Sequence, residues 1–244
     1  MRALSSSELL EVWERGRAAA PVGRALLLLE AAAPEAEPDA LARMPVGRRD
    51  ASLLSLRELT FGPRLVSSVN CAGCGERLEL AFDASDVRAG PGPRSGDVFK
   101  SSVGDYEVSF RLPNSLDLLD LTSCAGPSEA RLRLFERCVG SVVLGGSEVE
   151  PKSLPAEVVA GVSERMSQAD PQGDVRVSVN CPACGGEWQA LFDIVSFFWS
   201  EVEASARRTL QEVHLLASAY GWREADVLAL SPQRRRLYLE MIRG

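Results

Sequence analysis

A duplicated cysteine segment is the feature that most constrains how this 244-residue chain can fold. The sequence SVNCAGCGERLELAFD begins at Ser68, SVNCPACGGEWQALFD begins at Ser178, and the two agree at eight of sixteen positions. Each copy predicts a strand, a CxxCG turn and a returning strand, with Gly75 and Gly185 supplying the backbone freedom of a tight turn. We therefore expect two β-hairpins of the same design.

The spacing of the cysteines in this repeat indicates a metal site. The two CxxC pairs are Cys71 with Cys74 and Cys181 with Cys184. Two such pairs complete the tetrahedral all-cysteine shell that Zn²⁺ prefers, and a closed shell leaves no position for water or substrate, so one structural Zn²⁺ is predicted. A thioredoxin-like redox pair would lie at a helix N-terminus, whereas here a glycine and a strand pattern follow. An iron–sulfur cluster or a site without metal stays open as an alternative.

Composition and charge narrow the class of protein. Hydrophobic residues make up 45% and charged residues 25% of the chain, which is typical of a globular protein with its own core. The net charge of −7 disfavours a protein whose main task is to bind nucleic-acid phosphates. The N-terminus has no basic region before an apolar export segment, and the longest strongly apolar stretch, 25–29, is too short to span a bilayer. We expect a cytoplasmic chain without membrane contact.

Helical periodicity predicts a small bundle of three helices before residue 63. Ser5 and Glu8 are placed as a capping box for the first helix. Pro21 separates this helix from a second at 22–33, and a third lies within 48–59. The pattern then changes to short apolar runs, so the helical region ends there.

The insert between the two cysteine segments mixes loop, strand and helix. It begins with an exposed glycine- and proline-rich loop at 88–97 and continues with an alternating strand at 106–112. A leucine-rich acidic turn follows. Helices are predicted at 128–139 and 155–166, the second with Ser153 as its start signal.

After the second cysteine segment the chain returns to helix. Asp193 is the expected N-cap of a long helix that Gly221 ends, and Ser231 starts the last helix. The chain divides into four regions: 1–62, an N-terminal helical region; 63–86 with 175–193, a split zinc-ribbon core; 87–174, the insert; and 194–244, a C-terminal helical arm. The predicted fold class is α+β, with helical N- and C-terminal regions around a small antiparallel zinc-ribbon-like core formed by two CxxC hairpins.

The remaining reactive side chains are interpreted as structural. Cys124 and Cys138 lack ligand spacing and fit the role of small buried hydrophobes. His214 is the only histidine and lies among apolar residues of a helix, so it is not expected to act in catalysis.

Two sets of charged residues are interpreted as solvent-facing. The basic run 234–236 is expected to cover the outer face of a helix whose apolar side is Leu237 and Met241. The insert carries three acidic residues that lack a spacing for acid–base work or for a hard cation: Asp117, Asp120 and Glu129. These acidic residues are expected to be surface charge.

Four segments of the chain carry a resemblance to a known family. They are VGRRDASLLSLRELTFGPRL, CAGCGERLEL, YEVSFRLPNSLDLLDL and YGWREADVLALSPQRRRLYLEMI. This combination resembles the T4-family baseplate hub assembly chaperones of contractile phage tails and related injection systems. The resemblance implies a non-enzymatic protein that helps to build the hub or central spike of a contractile baseplate, either leaving afterwards or remaining as a component.

Three functions are weighed from these features. The first is an assembly factor or structural component with baseplate hub or spike proteins as partners, and its incorporation into a tail-like particle is left open. Its expected contact surfaces are the exposed loop 88–97 and the C-terminal helices, and the contact residues expected in those helices are Trp222, Arg234, Arg235 and Tyr238. The alternative is a zinc-ribbon nucleic-acid-binding or transcription accessory protein, which the acidic cysteine segments disfavour. An enzyme is not expected, because the sequence has no P-loop, GxGxxG or GxSxG motif.

Overall fold

The computed structural model describes residues 1–90 and 92–243. The helices are α1 (Ser6–Gly16), α2 (Pro21–Ala32), α3 (Pro38–Ala42), α4 (Val46–Phe61), α5 (Ser115–Asp120), α6 (Pro127–Cys138), α7 (Ala156–Ala169), α8 (Ile194–Tyr220), α9 (Glu224–Ala229) and α10 (Pro232–Arg243). The strands are β1 (Arg64–Asn70), β2 (Arg77–Asp83), β3 (Val98–Val103), β4 (Tyr106–Arg111), β5 (Val139–Leu144), β6 (Ser147–Glu148), β7 (Arg176–Asn180) and β8 (Glu187–Leu191). The fold therefore mixes helices with small antiparallel sheets, in agreement with the predicted class.

The N-terminal helices form as the sequence predicts. Ser5 Oγ accepts a hydrogen bond from the Glu8 N–H at 3.3 Å, and the Glu8 carboxylate accepts one from the Ser5 N–H at 2.9 Å, so the capping box is confirmed. The short helix α3 was not predicted. It begins at Pro38, because the fixed φ of proline suits the first turn of a helix.

The largest hydrophobic core joins these helices to the first half of α8. Leu28, Leu53 and Phe198 are fully buried in it, together with Leu65 of β1. The second half of α8 packs with α9 and α10 in a separate cluster around Leu216. The long helix thus contributes to both clusters. No helix in the described residues is both long and apolar enough to cross a membrane.

The predicted ends of α8 and the predicted start of α10 are confirmed. The Asp193 carboxylate accepts a hydrogen bond from the Val195 N–H at 2.9 Å, and Gly221 adopts a left-handed conformation with φ of 66°. Ser231 Oγ accepts from the Arg234 N–H at 3.3 Å at the start of α10.

The predicted apolar side of α10 is wrong. Leu237 is 50% exposed and Met241 is 68% exposed, whereas Leu239 and Arg235 face inward. The inward position of Arg235 is possible because its guanidinium has partners on α1 and α8, a long-range effect that helical periodicity does not show.

Two separate antiparallel sheets carry the cysteine segments. β1 pairs with β2, and β7 pairs with β8, each in regular register. In β1 and β2 more exposed positions alternate with buried or half-buried ones, which is the pattern of a sheet with one face covered.

The insert is built on a four-stranded antiparallel sheet in the order β3–β4–β5–β6. Val108, Phe110 and Val142 of the sheet pack against Phe135 of α6 and Val162 of α7. The predicted helices and the strand β4 are present. β3 and β5 were missed, because β3 is rich in polar residues and β5 follows α6 without a turn signal.

Two further predictions for the insert are wrong. Ser153 does not start α7, since Pro155 occupies the N-cap position and Ser153 Oγ donates to the Glu150 carbonyl within a preceding 3₁₀ turn. The acidic turn is the helix α5, in which Asn114 is the N-cap and Asp117 is only 1% exposed. Asp117 is therefore not surface charge; two arginines compensate its burial, as described below.

The two ends of the insert lie side by side. The side-chain amide of Gln172 donates to the Val87 carbonyl at 3.0 Å and accepts from the Ala89 N–H at 2.7 Å. Nearby, the buried Asp170 carboxylate accepts from the Gly47 N–H at 2.8 Å, at the start of α4. These contacts attach the neck of the insert to the N-terminal helical region.

Candidate functional site

The four cysteines of the repeat come together between the two small sheets. The Sγ atoms of Cys71 and Cys184 are 3.7 Å apart, those of Cys74 and Cys181 are 3.6 Å apart, and all four lie within 4.8 Å of one another. A tetrahedral zinc ion with Zn–S bonds of about 2.3 Å requires S···S separations of about 3.8 Å. The four sulfurs therefore fit one tetrahedral ion, and each of these two sulfur pairs joins one cysteine segment to the other.

The cysteine loops, residues 71–76 and 181–186, are held by matching backbone hydrogen bonds. The Cys71 N–H donates to the Glu76 carbonyl at 2.8 Å, and the Gly75 N–H donates back to the Cys71 carbonyl at 2.9 Å. The second loop repeats both bonds, each at 2.8 Å. Gly75 and Gly185 have φ values of 77° and 70°, a left-handed conformation that glycine adopts without steric cost.

The electrostatics of the cluster favour a bound cation. The N–H groups of Cys74 and Gly73 hold the pKa of the Cys71 thiol at about 6, because they stabilise the thiolate. For Cys74 the Glu76 N–H lowers the pKa, but the neighbouring sulfurs, with Cys181 the largest, outweigh it and raise the pKa to about 12. Adjacent thiolates thus repel one another, and a divalent metal ion would allow all four to ionise.

A small cluster of apolar side chains packs against the buried cysteines. Leu78 of the first sheet and Val179 of the second are buried in it, and Trp188 is half-buried against them. At the far end of the sheets, Phe82 and Phe192 make an edge-to-face contact with ring centroids 5.6 Å apart. Phe82 and Phe192 occupy equivalent positions of the repeat, so the two copies meet through the same residues.

The repeat also extends to the helix caps. The last residue of each copy is an aspartate, Asp83 or Asp193, and each caps the turn or helix that follows. The Asp83 N–H in turn donates to the Asp86 carboxylate at 2.9 Å. The capping role of Asp83 was missed, although the shared ending FD of the two copies was a signal for it.

The other candidate side chains lie apart from this cluster. Cys138 is buried, and this burial raises the pKa of its thiol to about 11, so Cys138 is a neutral buried thiol as predicted. Cys124 is half-buried rather than buried. His214 is exposed on α8.

Two of the predicted contact residues belong to an aromatic cluster beside α8. The Trp222 ring lies 4.8 Å from the Tyr220 ring and 4.9 Å from the Tyr238 ring, measured between centroids. Trp222 and Tyr238 are half-buried, so part of each ring faces solvent. Arg234 is exposed on the adjoining turn of α10.

Arg235, the fourth predicted contact residue, is buried. Its Nε donates to the Glu212 carboxylate at 2.8 Å, and its terminal nitrogens donate to the Leu230 carbonyl and to Ser6 Oγ, each at 2.7 Å. The side chain fastens α10 to α8 and to the start of α1. In this fold Arg235 is not available to a partner, so its predicted role as a contact residue is wrong.

Fold and site together define a mixed helix-and-sheet protein with a four-cysteine cluster suited to one metal ion. Residues 27–199 match the family model described as T4 bacteriophage base plate protein, and the chain belongs to this family. The prediction of a T4-type baseplate protein is confirmed, with a structural or assembly role among other baseplate proteins. Neither a curated protein nor a solved structure matches the chain.

Proposed function

We propose that the chain is a non-enzymatic assembly factor or structural component of the baseplate hub of a contractile tail or injection system, stabilised by one structural Zn²⁺. The family match carries the baseplate part of this proposal. The convergence of the four sulfurs supports the zinc part. Hub or spike proteins are the proposed partners.

The proposed zinc ion would stabilise the fold. Cys71 and Cys74 would hold it from the first sheet, and Cys181 and Cys184 from the second. In such an arrangement the ion contributes folding energy and joins two segments that are far apart in sequence.

The proposal of a non-enzymatic role rests on the ligand set. Four cysteine sulfurs fill a tetrahedral shell, so the ion would have no position for water or substrate. A catalytic zinc site normally keeps one such position open. We therefore assign the function to surfaces of the protein.

One such surface is the solvent-exposed side of α10, which carries two apolar side chains. Leu237 and Met241 lie one helical turn apart and are 50% and 68% exposed. The half-buried rings of Trp222 and Tyr238 lie in the same C-terminal region. Exposed aliphatic side chains near aromatic anchors are a frequent basis of helix-mediated binding.

Co-expression with the tail proteins that neighbouring genes encode tests both parts of the proposal. The tagged chain is purified, and its zinc content and its co-purifying proteins are measured in the same sample. One zinc ion per chain together with a hub or spike protein is expected. A sample without metal contradicts the zinc site, and zinc without a tail partner contradicts the assembly role. Salt-dependent DNA or RNA binding below micromolar would instead favour the nucleic-acid alternative.

A pair of surface variants tests the contact surface. Leu237→Glu with Met241→Glu is expected to abolish co-purification of the partner, because it places two charges on the apolar side of α10. Leu59→Glu with Leu132→Glu is the matched control, since these leucines are 55% and 53% exposed elsewhere on the chain. Equal loss of the partner in both variants would refute the assignment of this surface.

A further inference from the structure

An arginine-lined cleft lies where the segment before α4 meets the insert. It encloses about 430 Å³, and its wall combines this segment with residues 94–97 and with β4, α5 and α6. Its charged lining consists of four arginines and two aspartates: Arg43, Arg94, Arg111, Arg137, Asp97 and Asp117. This cleft is not evident from the sequence, because its residues come from distant segments.

The floor of the cleft is a fixed group of charges. The buried Asp117 carboxylate accepts two hydrogen bonds from Arg111, at 2.6 and 2.8 Å, and one from Arg137 Nε at 2.9 Å. Burial alone would raise the pKa of Asp117, but these bonds and one from the Asn114 N–H hold it below its ordinary value. The carboxylate is therefore ionised at neutral pH and keeps the two guanidinium groups in place.

Several donors of the cleft remain free for a ligand. Within the described residues, Nη2 of Arg137 and the guanidinium of Arg94 make no hydrogen bond. The side chain of Arg43 is 64% exposed, and its one ion pair among residues 1–90 and 92–243 is a 3.9 Å contact with Asp39. Arg137 is oriented by Asp117, so one oriented guanidinium and two exposed ones line the same cleft.

The charge of the cleft selects an anionic ligand of limited extent. Four arginines face two aspartates, which leaves an excess positive charge in a chain of net charge −7. Beyond Arg137, however, the surface mixes charges, with Asp120, Glu136 and Glu150 beside Arg133 and Lys152, so the excess of positive charge does not continue there. A continuous phosphate backbone would find no further excess of positive charge along this border, whereas a single carboxylate can enter the cleft and bind the guanidinium groups.

We propose that this cleft binds a carboxylate side chain from an acidic segment of a baseplate partner. This inference rests on the proposed function, since it names the chemistry by which one partner would be recognised. The arrangement resembles an interface pocket in which pre-oriented arginines receive an acidic side chain and the rim charges set the orientation.

Binding of a labelled octaglutamate peptide tests the cleft directly. The variant Arg43→Glu with Arg94→Glu reverses two exposed charges and leaves the bonds of Asp117 intact. It is expected to weaken peptide binding about tenfold or more at low ionic strength, because charge reversal replaces attraction by repulsion. The control is Arg64→Glu with Arg165→Glu, which changes net charge equally at exposed positions outside the cleft lining and is expected to keep the affinity.

Four results would overturn the proposal. They are no measurable peptide binding, equal weakening in both double variants, equally tight binding of octaglutamine, and tighter binding of an oligothymidylate of equal charge that is lost in the cleft variant. The last result would assign the cleft to phosphate. Co-purification with hub proteins distinguishes failure of the cleft proposal from failure of the proposed function. If the cleft variant retains the partner, only the proposed role of the cleft is refuted. If the unaltered protein captures no tail partner, the assembly role is refuted.

Discussion

Removal of the proposed metal ion is expected to unfold the two cysteine loops while the helical core stays folded. The perturbation is Cys181→Ser, which replaces a fully buried cysteine of the cluster, with Cys124→Ser as a control at a half-buried cysteine outside the cluster. The control is expected to keep its metal. The Cys181 variant is expected to lose it to a chelator concentration that the unaltered protein withstands.

The extent of local unfolding follows from the small apolar cluster that packs against the loops. Each loop, 71–76 or 181–186, requires about 6–12 kcal/mol to order its backbone, at about 1–2 kcal/mol per residue. Leu78 and Val179, the buried aliphatic side chains below, together contribute about 3–6 kcal/mol. Structural zinc contributes on the order of 10–16 kcal/mol in small zinc domains. Without the ion the loops are therefore not expected to remain ordered.

Hydrogen exchange followed by mass spectrometry measures this local unfolding. Amides of 69–80 and 179–190 should exchange at least about a hundredfold faster after metal removal, which corresponds to about 3 kcal/mol of lost protection. Amides of α4 should stay protected, since the main core does not include the cysteines. Unchanged exchange in a sample shown to be free of metal would refute the reasoning, and so would global unfolding.

Three further predictions concern the buried charges and one glycine. Asp117→Asn should destabilise the protein by about 1–3 kcal/mol at pH 7. Because the folded-state pKa of Asp117 is lowered, the stabilisation by its carboxylate is present above about pH 4 and is lost as the pH falls further. Urea titrations should therefore show a smaller stability difference between variant and parent at pH 3 than at pH 7. Gly47→Ala should cost about 1–3 kcal/mol or more in thermal unfolding, because the new Cβ would lie 1.9 Å from a buried carboxylate oxygen, whereas Gly23→Ala, with its nearest neighbour at 3.4 Å, should be neutral or stabilising. Arg235→Ala should cost about 2–3 kcal/mol and make α10 an early target in limited proteolysis, while the exposed Arg236→Ala should not; equal cleavage of both would contradict the fastening role.

Local signals predicted the parts of the fold that depend on neighbouring residues. The capping box at Ser5, the cap at Asp193 and the helix end at Gly221 each involve residues within a few positions of one another, so the sequence alone contains their cause. The convergence of the cysteines was also predicted, although its members are far apart, because a repeated CxxC spacing implies a shared metal ion.

Long-range compensation explains what the sequence did not predict. Asp117 and Arg235 are charged residues in the interior, and each is stable there only because partners from other elements supply hydrogen bonds. Periodicity assigns such residues to the surface. The polar strand β3 was missed for a related reason, since it is ordered by pairing with β4 and leaves Val98 68% exposed.

The closed neck of the insert has a mechanical consequence. Gln172 bonds to the backbone at residues 87 and 89, and the proposed ion would join residues 71 and 181 just outside that neck. Tension applied between the chain ends would then pass from the first sheet to the second through metal–sulfur bonds and bypass the insert. The insert would keep its shape under load until those bonds broke.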